Sequence, residues 1–196
     1  MSNPWDIPPF PVRGDADQND TYAGVGRVLS QWEAIEVELS HVYSLLVYRH
    51  EDLEALREYG RPTIFRDRLD SLQRAAERYF QSNPHQETES EFSDIAKIAR
   101  NFSARKNDVA HSIVRPYRWT FPPSAETVDP FEPMQFCATP PHYSGKKFMP
   151  ENLPIYVYTS VEMNALSVAL FEFSHQIIEL KWKLMMGEDG KRPESE

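Results

Sequence analysis

The sequence predicts an all-α protein: a four-helix bundle with a proline-rich, partly β insertion before its last helix. Three observations support this fold class. Four long segments repeat apolar residues every three or four positions, which is the period of an amphipathic helix. Twelve of the 16 prolines lie in the first 11 residues or between residues 119 and 154, where their fixed φ and missing N–H disfavour helix. The length of 196 residues fits one domain.

The predicted domain boundaries follow these changes in composition. Residues 1–20 form a proline-rich N-terminal segment. Residues 21–186 form a single helical domain, and its insertion covers about residues 112–158. Residues 187–196 are polar and are expected to form a flexible tail.

The first two helices are predicted from their apolar stripes. One helix spans residues 22–48, where Trp32 and Leu46 belong to a stripe with alternating spacings of three and four. The second helix spans residues 63–81 and has a stripe of the same kind. Pro84 follows shortly after it and cannot continue a helix, because proline lacks the backbone donor.

The third and last helices are predicted on the same grounds. The third spans residues 87–111, and its acidic start suits the positive end of a helix dipole. The last spans residues 159–186 and has apolar stripes on two nearly opposite sides. A helix of this kind must be covered twice, so the insertion or a second subunit is expected on its far side. The far stripe consists of Val168, Phe171, His175, Ile178 and Trp182.

The insertion is predicted to contain short strands. Residues 113–121 have strand composition, and Pro116 confines that strand to a sheet edge. Residues 135–138 and 155–158 are two further candidates. Aromatic residues of the first strand either stack RNA bases beside a basic site or pack one face of the strand on a helix. They are Tyr117, Trp119 and Phe121.

Charge and composition exclude several classes of function. The net charge of −9 argues against a protein that coats nucleic acid or anionic membranes with its whole surface. The single cysteine, Cys137, excludes an internal disulfide and a zinc site of several thiolates. The N-terminus lacks the features of a secretory signal, and no apolar run reaches the roughly 18 residues that span a bilayer. We therefore expect a cytoplasmic protein with no membrane partner.

The densest positive charge lies between Lys97 and Arg118. This stretch contains six lysine and arginine residues but one acid, Asp108, and His111 lies among them. Arginine binds phosphate as a bidentate fork, and histidine exchanges protons near neutral pH, so the stretch is a candidate phosphate site. The alternative is a cationic helix C-terminus that complements its own dipole.

The end of this stretch has a recognisable pattern. Residues 105–111 (RKNDVAH) resemble the Arg-x(4–6)-His signature of HEPN domains, with Arg105 and His111 as its ends. The position of the motif near the end of the third of four long helices is similar to that family. The first helix adds a Trp-x-x-Ile-Glu sequence, from Trp32 to Glu36, that also looks like such proteins. The resemblance covers about residues 22–113 and the last helix.

The resemblance implies a metal-independent endoribonuclease without a cofactor, whose composite site forms where two motif helices meet in a homodimer. His111 would be the general acid and base for attack of a ribose 2′-OH on the adjacent phosphate. Arg105 would stabilise the developing negative charge, and Asn107 would orient the phosphate or the histidine. The neighbouring cations would bind the RNA: Arg100, Lys106, Arg115 and Arg118.

Some HEPN domains do not catalyse a reaction, and the resemblance therefore leaves an alternative open. In that case the chain is a module that binds RNA or protein, or that mediates dimerisation. The resemblance implies a phage-defence or toxin–antitoxin setting for it, with an antitoxin-like protein as partner.

Two Glu-x-x-His sequences raise a third alternative, a di-metal carboxylate four-helix bundle. They are Glu38 with His41 in the first helix and Glu172 with His175 in the last. A di-metal site needs all four side chains to point into the bundle. The helical period turns them away from the main apolar stripes, so we predict no metal ligands.

Overall fold

The computed structural model describes residues 3–120 and 133–186. In these ranges the chain is mostly helical with a small two-stranded sheet, which confirms a mainly α protein. The predicted tail, residues 187–196, lies outside the described residues. The strands are β1 (Ile113–Pro116) and β2 (Phe136–Thr139), and Gly145–Lys147 forms a 3-10 turn. The helices are α1 (Gln18–Tyr48), α2 (Leu53–Gly60), α3 (Phe65–Ser82), α4 (Gln86–Ala110), α5 (Tyr117–Thr120) and α6 (Ser160–Met186).

The four predicted helices are present as α1, α3, α4 and α6, with ends that differ from the prediction by a few residues. The sequence does not predict α2, because eight residues are too few to show a helical period. Asp52 fixes the start of α2, since its Oδ1 accepts hydrogen bonds from the backbone N–H groups of Glu54 (2.8 Å) and Ala55 (3.0 Å). Ala55 and Tyr59 are its buried residues.

The described residues form two compact units. The first unit lies within Met1–Gln31 and Ala104–Ala169, and the second within Trp32–Ser103 and Leu170–Glu196. Each unit therefore combines distant parts of the chain. The N-terminal segment and the insertion both belong to the first unit.

The core of the second unit is built from the predicted apolar stripes. Trp32 is fully buried and packs edge-on against Phe65, with ring centroids 4.8 Å apart. The rings of Phe102 and Phe173 are 5.4 Å apart. Burial of a side chain of this size contributes about 1.5–3 kcal/mol, so these stripes hold the unit together. Other large side chains buried here are Ile35, Leu39, Leu69, Leu72, Ile95, Ile177 and Leu180.

A buried ion pair crosses the second unit. The Glu36 carboxylate accepts a hydrogen bond of 2.7 Å from Trp32 Nε1 and one of 3.2 Å from Arg68 Nη2. Arg68 Nε lies 3.0 Å from the other carboxylate oxygen of Glu36. Burial raises the pKa of Tyr59 well above its ordinary value, and the negative charge of Glu36 adds to this rise. Trp32 and Glu36, the first and last residues of the Trp-x-x-Ile-Glu sequence, are thus joined by a hydrogen bond within the core.

Replacing Glu36 by alanine is expected to lower the free energy of unfolding by about 2–3 kcal/mol. The substitution leaves the Arg68 guanidinium and the Trp32 N–H without their acceptor, although Arg68 retains some access to water. Urea denaturation followed by circular dichroism measures the change. Glu33→Ala, at an exposed position of the same helix, is the control. An equal stability for both variants would contradict a structural role for the Glu36 pair.

The sheet of the first unit is shorter than predicted. β1 and β2 are antiparallel, with Ile113 opposite Thr139 and Pro116 opposite Phe136. The prediction of a strand through residue 121 is wrong for residues 117–120, because the chain turns into α5 there, and residue 121 lies outside the described residues. The pairing reaches one residue past β1, since Tyr117 N–H donates to Gln135 O. The predicted strand at residues 135–138 is confirmed as β2, shifted by one residue.

The other predicted strand of the insertion is reduced to one pair. Within residues 155–158, Tyr158 alone forms a bridge, with Ala138. Proline at position 154 lacks a backbone donor, and its own bridge is to Phe148. The predicted strand over residues 155–158 is therefore wrong in extent.

The N-terminal segment is joined to the start of α6. Asp15 is buried, and its carboxylate accepts hydrogen bonds from Thr21 Oγ1 (2.7 Å) and from Ser160 N and Oγ (2.8 and 2.6 Å). Glu162 accepts a hydrogen bond of 2.7 Å from Thr159 N–H and completes the cap. Both carboxylates lie at the positive end of the helix dipole, which they complement.

Among the helices of residues 3–120 and 133–186, none has the length and apolar character that a membrane span requires.

Candidate functional site

The predicted motif lies on the last turns of α4. Ala110 is the final residue of this helix, and His111 N–H still donates to Asn107 O at 3.1 Å. Ser112 N–H and Oγ both bond to Val109 O, which closes the helix end before β1 begins. His111 therefore lies where the helix gives way to the strand, at a chain position that agrees with the sequence prediction.

Asn107 and His111 present exposed side chains. They are four residues apart on one helix, a spacing that places side chains on the same face. Within the part of the chain that the structure describes, no hydrogen bond or ion pair of either side chain is found. Their amide and imidazole groups are thus accessible to a ligand.

Arg105 has a different environment from the one predicted for it. Its side chain is 13% exposed, and its Nη1 lies 3.1 Å from Oδ2 of Asp108, which is 1% exposed. Lys147 Nζ donates to the other oxygen of Asp108 at 2.7 Å. Two cations therefore neutralise one buried carboxylate. The guanidinium of Arg105 is directed to this carboxylate inside the unit.

Two buried tyrosines surround this ion cluster. Burial raises the pKa of Tyr158 to about 12, although the nearby charge of Arg105 opposes the rise. Burial likewise raises the pKa of Tyr156, and the charge of Asp108 adds to it. The ammonium of Lys147 lies 5.7 Å from the centroid of the Tyr156 ring. Both phenols are therefore neutral at physiological pH and add no negative charge to the cluster.

The four predicted RNA-binding cations occupy different environments. Arg100 belongs to the second unit, where it lies 3.7 Å from Asp70 and donates to Gln73 Oε1. Lys106 is half-buried, whereas Arg118 is exposed on α5. The structure thus brings Lys106, Arg115 and Arg118 into one unit with His111, and it places Arg100 in the other.

Arg115 lies on β1 and contacts the segment that follows β2. Its Nη1 is 3.0 Å from His142 Nε2, and its Nη2 donates to Pro140 O at 3.3 Å. His142 also stacks on Phe148, with centroids 5.3 Å apart. The sequence analysis does not predict a role for this segment. The signal that could have indicated one is the pair of adjacent lysines, Lys146 and Lys147, three residues after Tyr143.

The predicted aromatic strand is not formed at this site. Tyr117 lies on α5, and its hydroxyl donates to the carbonyl oxygen of Pro11. Phe121 and the side chain of Trp119 lie outside the described residues. The alternative in which Tyr117 stacks RNA bases from an exposed strand is therefore wrong.

The Glu-x-x-His residues have other partners. Glu38 accepts a hydrogen bond of 2.6 Å from Lys181, and His41 Nδ1 lies 3.2 Å from Glu51. His175 is exposed, with its Nδ1 3.0 Å from Phe171 O. Over the described ranges, no group of three or more potential metal ligands is present.

The arrangement supports acid–base chemistry at an exposed surface. An accessible imidazole can accept and return a proton, and the amide of Asn107 can hydrogen-bond an anionic oxygen. Comparison with protein-family models, with curated proteins and with solved structures finds no match to this chain.

Proposed function

We propose that this chain is a HEPN-like four-helix bundle that acts on RNA as a metal-independent endoribonuclease. The observation that carries the proposal is the exposed Asn107–His111 face at the end of α4. It is supported by the long helices, by the motif position near the end of α4 and by the accessibility of the imidazole. Arg105 takes a positioning role, because its ion pair with Asp108 holds the last turns of α4.

The proposed reaction is transesterification of the RNA backbone. His111 removes the proton of a ribose 2′-OH as the 2′-oxygen attacks the adjacent phosphorus, and the P–O5′ bond breaks. A protonated His111 of a second copy returns a proton to the leaving 5′-oxygen. The amide of Asn107 donates a hydrogen bond to a non-bridging phosphate oxygen. The products carry a 2′,3′-cyclic phosphate and a 5′-hydroxyl.

The reaction is tested by incubating unstructured RNA with the protein in EDTA and identifying the new ends by mass spectrometry. We expect cleavage with 2′,3′-cyclic phosphate ends. Cleavage that needs an added divalent ion, or that leaves 5′-phosphate ends, would contradict the proposed chemistry. Absence of cleavage by the folded protein on RNAs of varied sequence would refute the ribonuclease proposal.

The proposed homodimer is supported by the far side of α6. Phe171 and Trp182 are 54% and 55% exposed, and Ile178 between them is half-buried. These residues lie seven and four positions apart in the chain, which places them on one face of the helix. Exposed apolar stripes of this kind are typical of protein interfaces.

Replacing Trp182 by glutamate is expected to weaken the homodimer by at least about 10-fold in Kd, because tryptophan at an interface centre contributes strongly to binding. Light scattering over a concentration series measures the change. Gln176→Glu adds the same charge at an exposed position of α6 outside the stripe and serves as the control. A monomeric wild-type protein, or equal dimerisation of both variants, would contradict the use of this face.

A second function is favoured by one specific observation. The buried ion pair of Arg105 with Asp108 withdraws the arginine of the motif from solvent. A HEPN-like module without catalysis, which binds RNA or an antitoxin-like protein, does not need that arginine. Such a module forms a folded dimer and binds its partner, but does not cleave RNA.

A further inference from the structure

The segment from Pro140 to Phe148, which we call the basic loop, carries features that the proposed function leaves unexplained. Tyr143 is 89% exposed, although tyrosine is a large aromatic residue. Lys146 is exposed, and Lys147 is 43% exposed. An exposed flat ring and exposed positive charge on one segment are the combination that binds single-stranded nucleic acid.

Two contacts fix the basic loop in position. Arg115 of β1 lies 3.0 Å from His142 Nε2 and bonds the carbonyl oxygen of Pro140. Lys147 donates to Asp108 of α4, three residues before His111 in the chain. The loop is therefore held against both the strand and the end of the motif helix. In the chain, Tyr143 lies between His142 and Lys147, the loop residues that make these contacts.

The local charge differs in sign from that of the whole chain. Residues 104–118 and 140–148 together contain six lysine and arginine residues and one acid, Asp108, whereas the full chain has a net charge of −9. Asp108 is buried and is neutralised by Arg105 and Lys147. Of the cations that do not contact Asp108, Lys146 is exposed, and Arg115 contacts His142 and the carbonyl oxygen of Pro140. An acidic protein that concentrates cations in this way favours an anionic ligand at one place.

We propose that the basic loop is a binding site for single-stranded RNA, in which the Tyr143 ring stacks on a base and Lys146 and Arg115 contact phosphates. The choice of RNA as ligand rests on the proposed function. Single-stranded RNA is favoured over duplex because stacking on a side chain requires an unpaired, accessible base. An acidic peptide would satisfy the cations, but it has no nucleobase to use the Tyr143 ring.

The test measures binding of a fluorescent 2′-O-methyl oligonucleotide by anisotropy. This probe resists the proposed cleavage because its 2′-oxygen is blocked, so binding and catalysis are measured separately. Tyr143→Ala is expected to raise Kd by about 5-fold to 100-fold, the usual loss for one stacked base. Tyr143→Phe keeps the ring and is expected to bind like the wild type. Tyr22→Ala removes an exposed tyrosine on α1 and is the control.

A second measurement tests the phosphate contacts. Lys146→Ala is expected to reduce the slope of log Kd against log salt by about 0.7, the value for one phosphate contact on a single strand. Binding that is unchanged in Tyr143→Ala overturns the site. The proposed site is also overturned if duplex RNA binds as tightly as the single-stranded probe. It is likewise overturned if a polyglutamate peptide binds as tightly as the probe and independently of Tyr143.

The outcomes separate this site from the proposed reaction. Tyr143-dependent binding without any cleavage of natural RNA supports RNA binding by the basic loop and refutes the ribonuclease proposal. If cleavage depends on His111, and Tyr143→Ala changes neither cleavage nor binding of the probe, the result supports the ribonuclease proposal and refutes RNA binding by the basic loop.

Discussion

His111→Ala is expected to lower the rate of RNA cleavage by about 10²-fold to 10⁴-fold, the usual contribution of a general acid or base. The imidazole is exposed at the end of α4, so its removal is expected to leave the fold intact. Alanine retains the backbone bond from residue 111 to Asn107 O. Single-turnover cleavage of labelled RNA in EDTA, with circular dichroism of each variant, makes the measurement.

His50→Ala is the matched control for this experiment, because His50 is also exposed but lies in the second unit. We expect it to cleave at the wild-type rate. A cleavage rate of His111→Ala equal to that of wild type would show that the imidazole does not take part in the reaction.

Asp108→Ala is expected to destabilise the protein by about 3–5 kcal/mol, the cost of removing one partner of a buried ion pair. The change leaves the Arg105 guanidinium, which is 13% exposed, without its counter-charge. Lys147 is 43% exposed and can turn to water, so most of the loss arises at Arg105. Urea denaturation of the variant against wild type measures the free energy.

The double variant Arg105→Met with Asp108→Leu separates the charge effect from packing. Because it removes both charges, we expect it to recover much of the stability that Asp108→Ala loses. A double variant that remains folded and cleaves RNA would support a positioning role for Arg105. An Asp108→Ala variant within about 1 kcal/mol of wild type would contradict a buried pair of this importance.

Helix positions follow from local information. The alternating spacings of three and four along α1, α3, α4 and α6 can be read from consecutive residues, and the structure places these helices within a few residues of the predicted ranges. α2 escapes prediction because its eight residues are stabilised mainly by a cap at Asp52 and by two buried side chains.

The strand prediction shows where local composition is insufficient. Residues 117–120 alternate aromatic and polar residues as a strand does, yet they form α5. The contacts of Tyr117 are with distant residues, since its N–H donates to Gln135 O and its hydroxyl donates to Pro11 O. No pattern within residues 113–121 contains those partners.

The candidate site likewise combines features that the sequence predicts with features that depend on tertiary contacts. The sequence by itself determined the helices, the acidic balance and the location of His111 and Asn107 at the end of α4, because period, charge and chain order are local properties. Arg105 and Asp108 are three residues apart on α4, a spacing that helix geometry alone brings together. Only the tertiary structure decided that this pair is buried and that Lys147 joins it from a position 39 residues further along. Burial of a charge demands whichever opposite charge the folded chain brings within reach, and that partner depends on how distant segments pack.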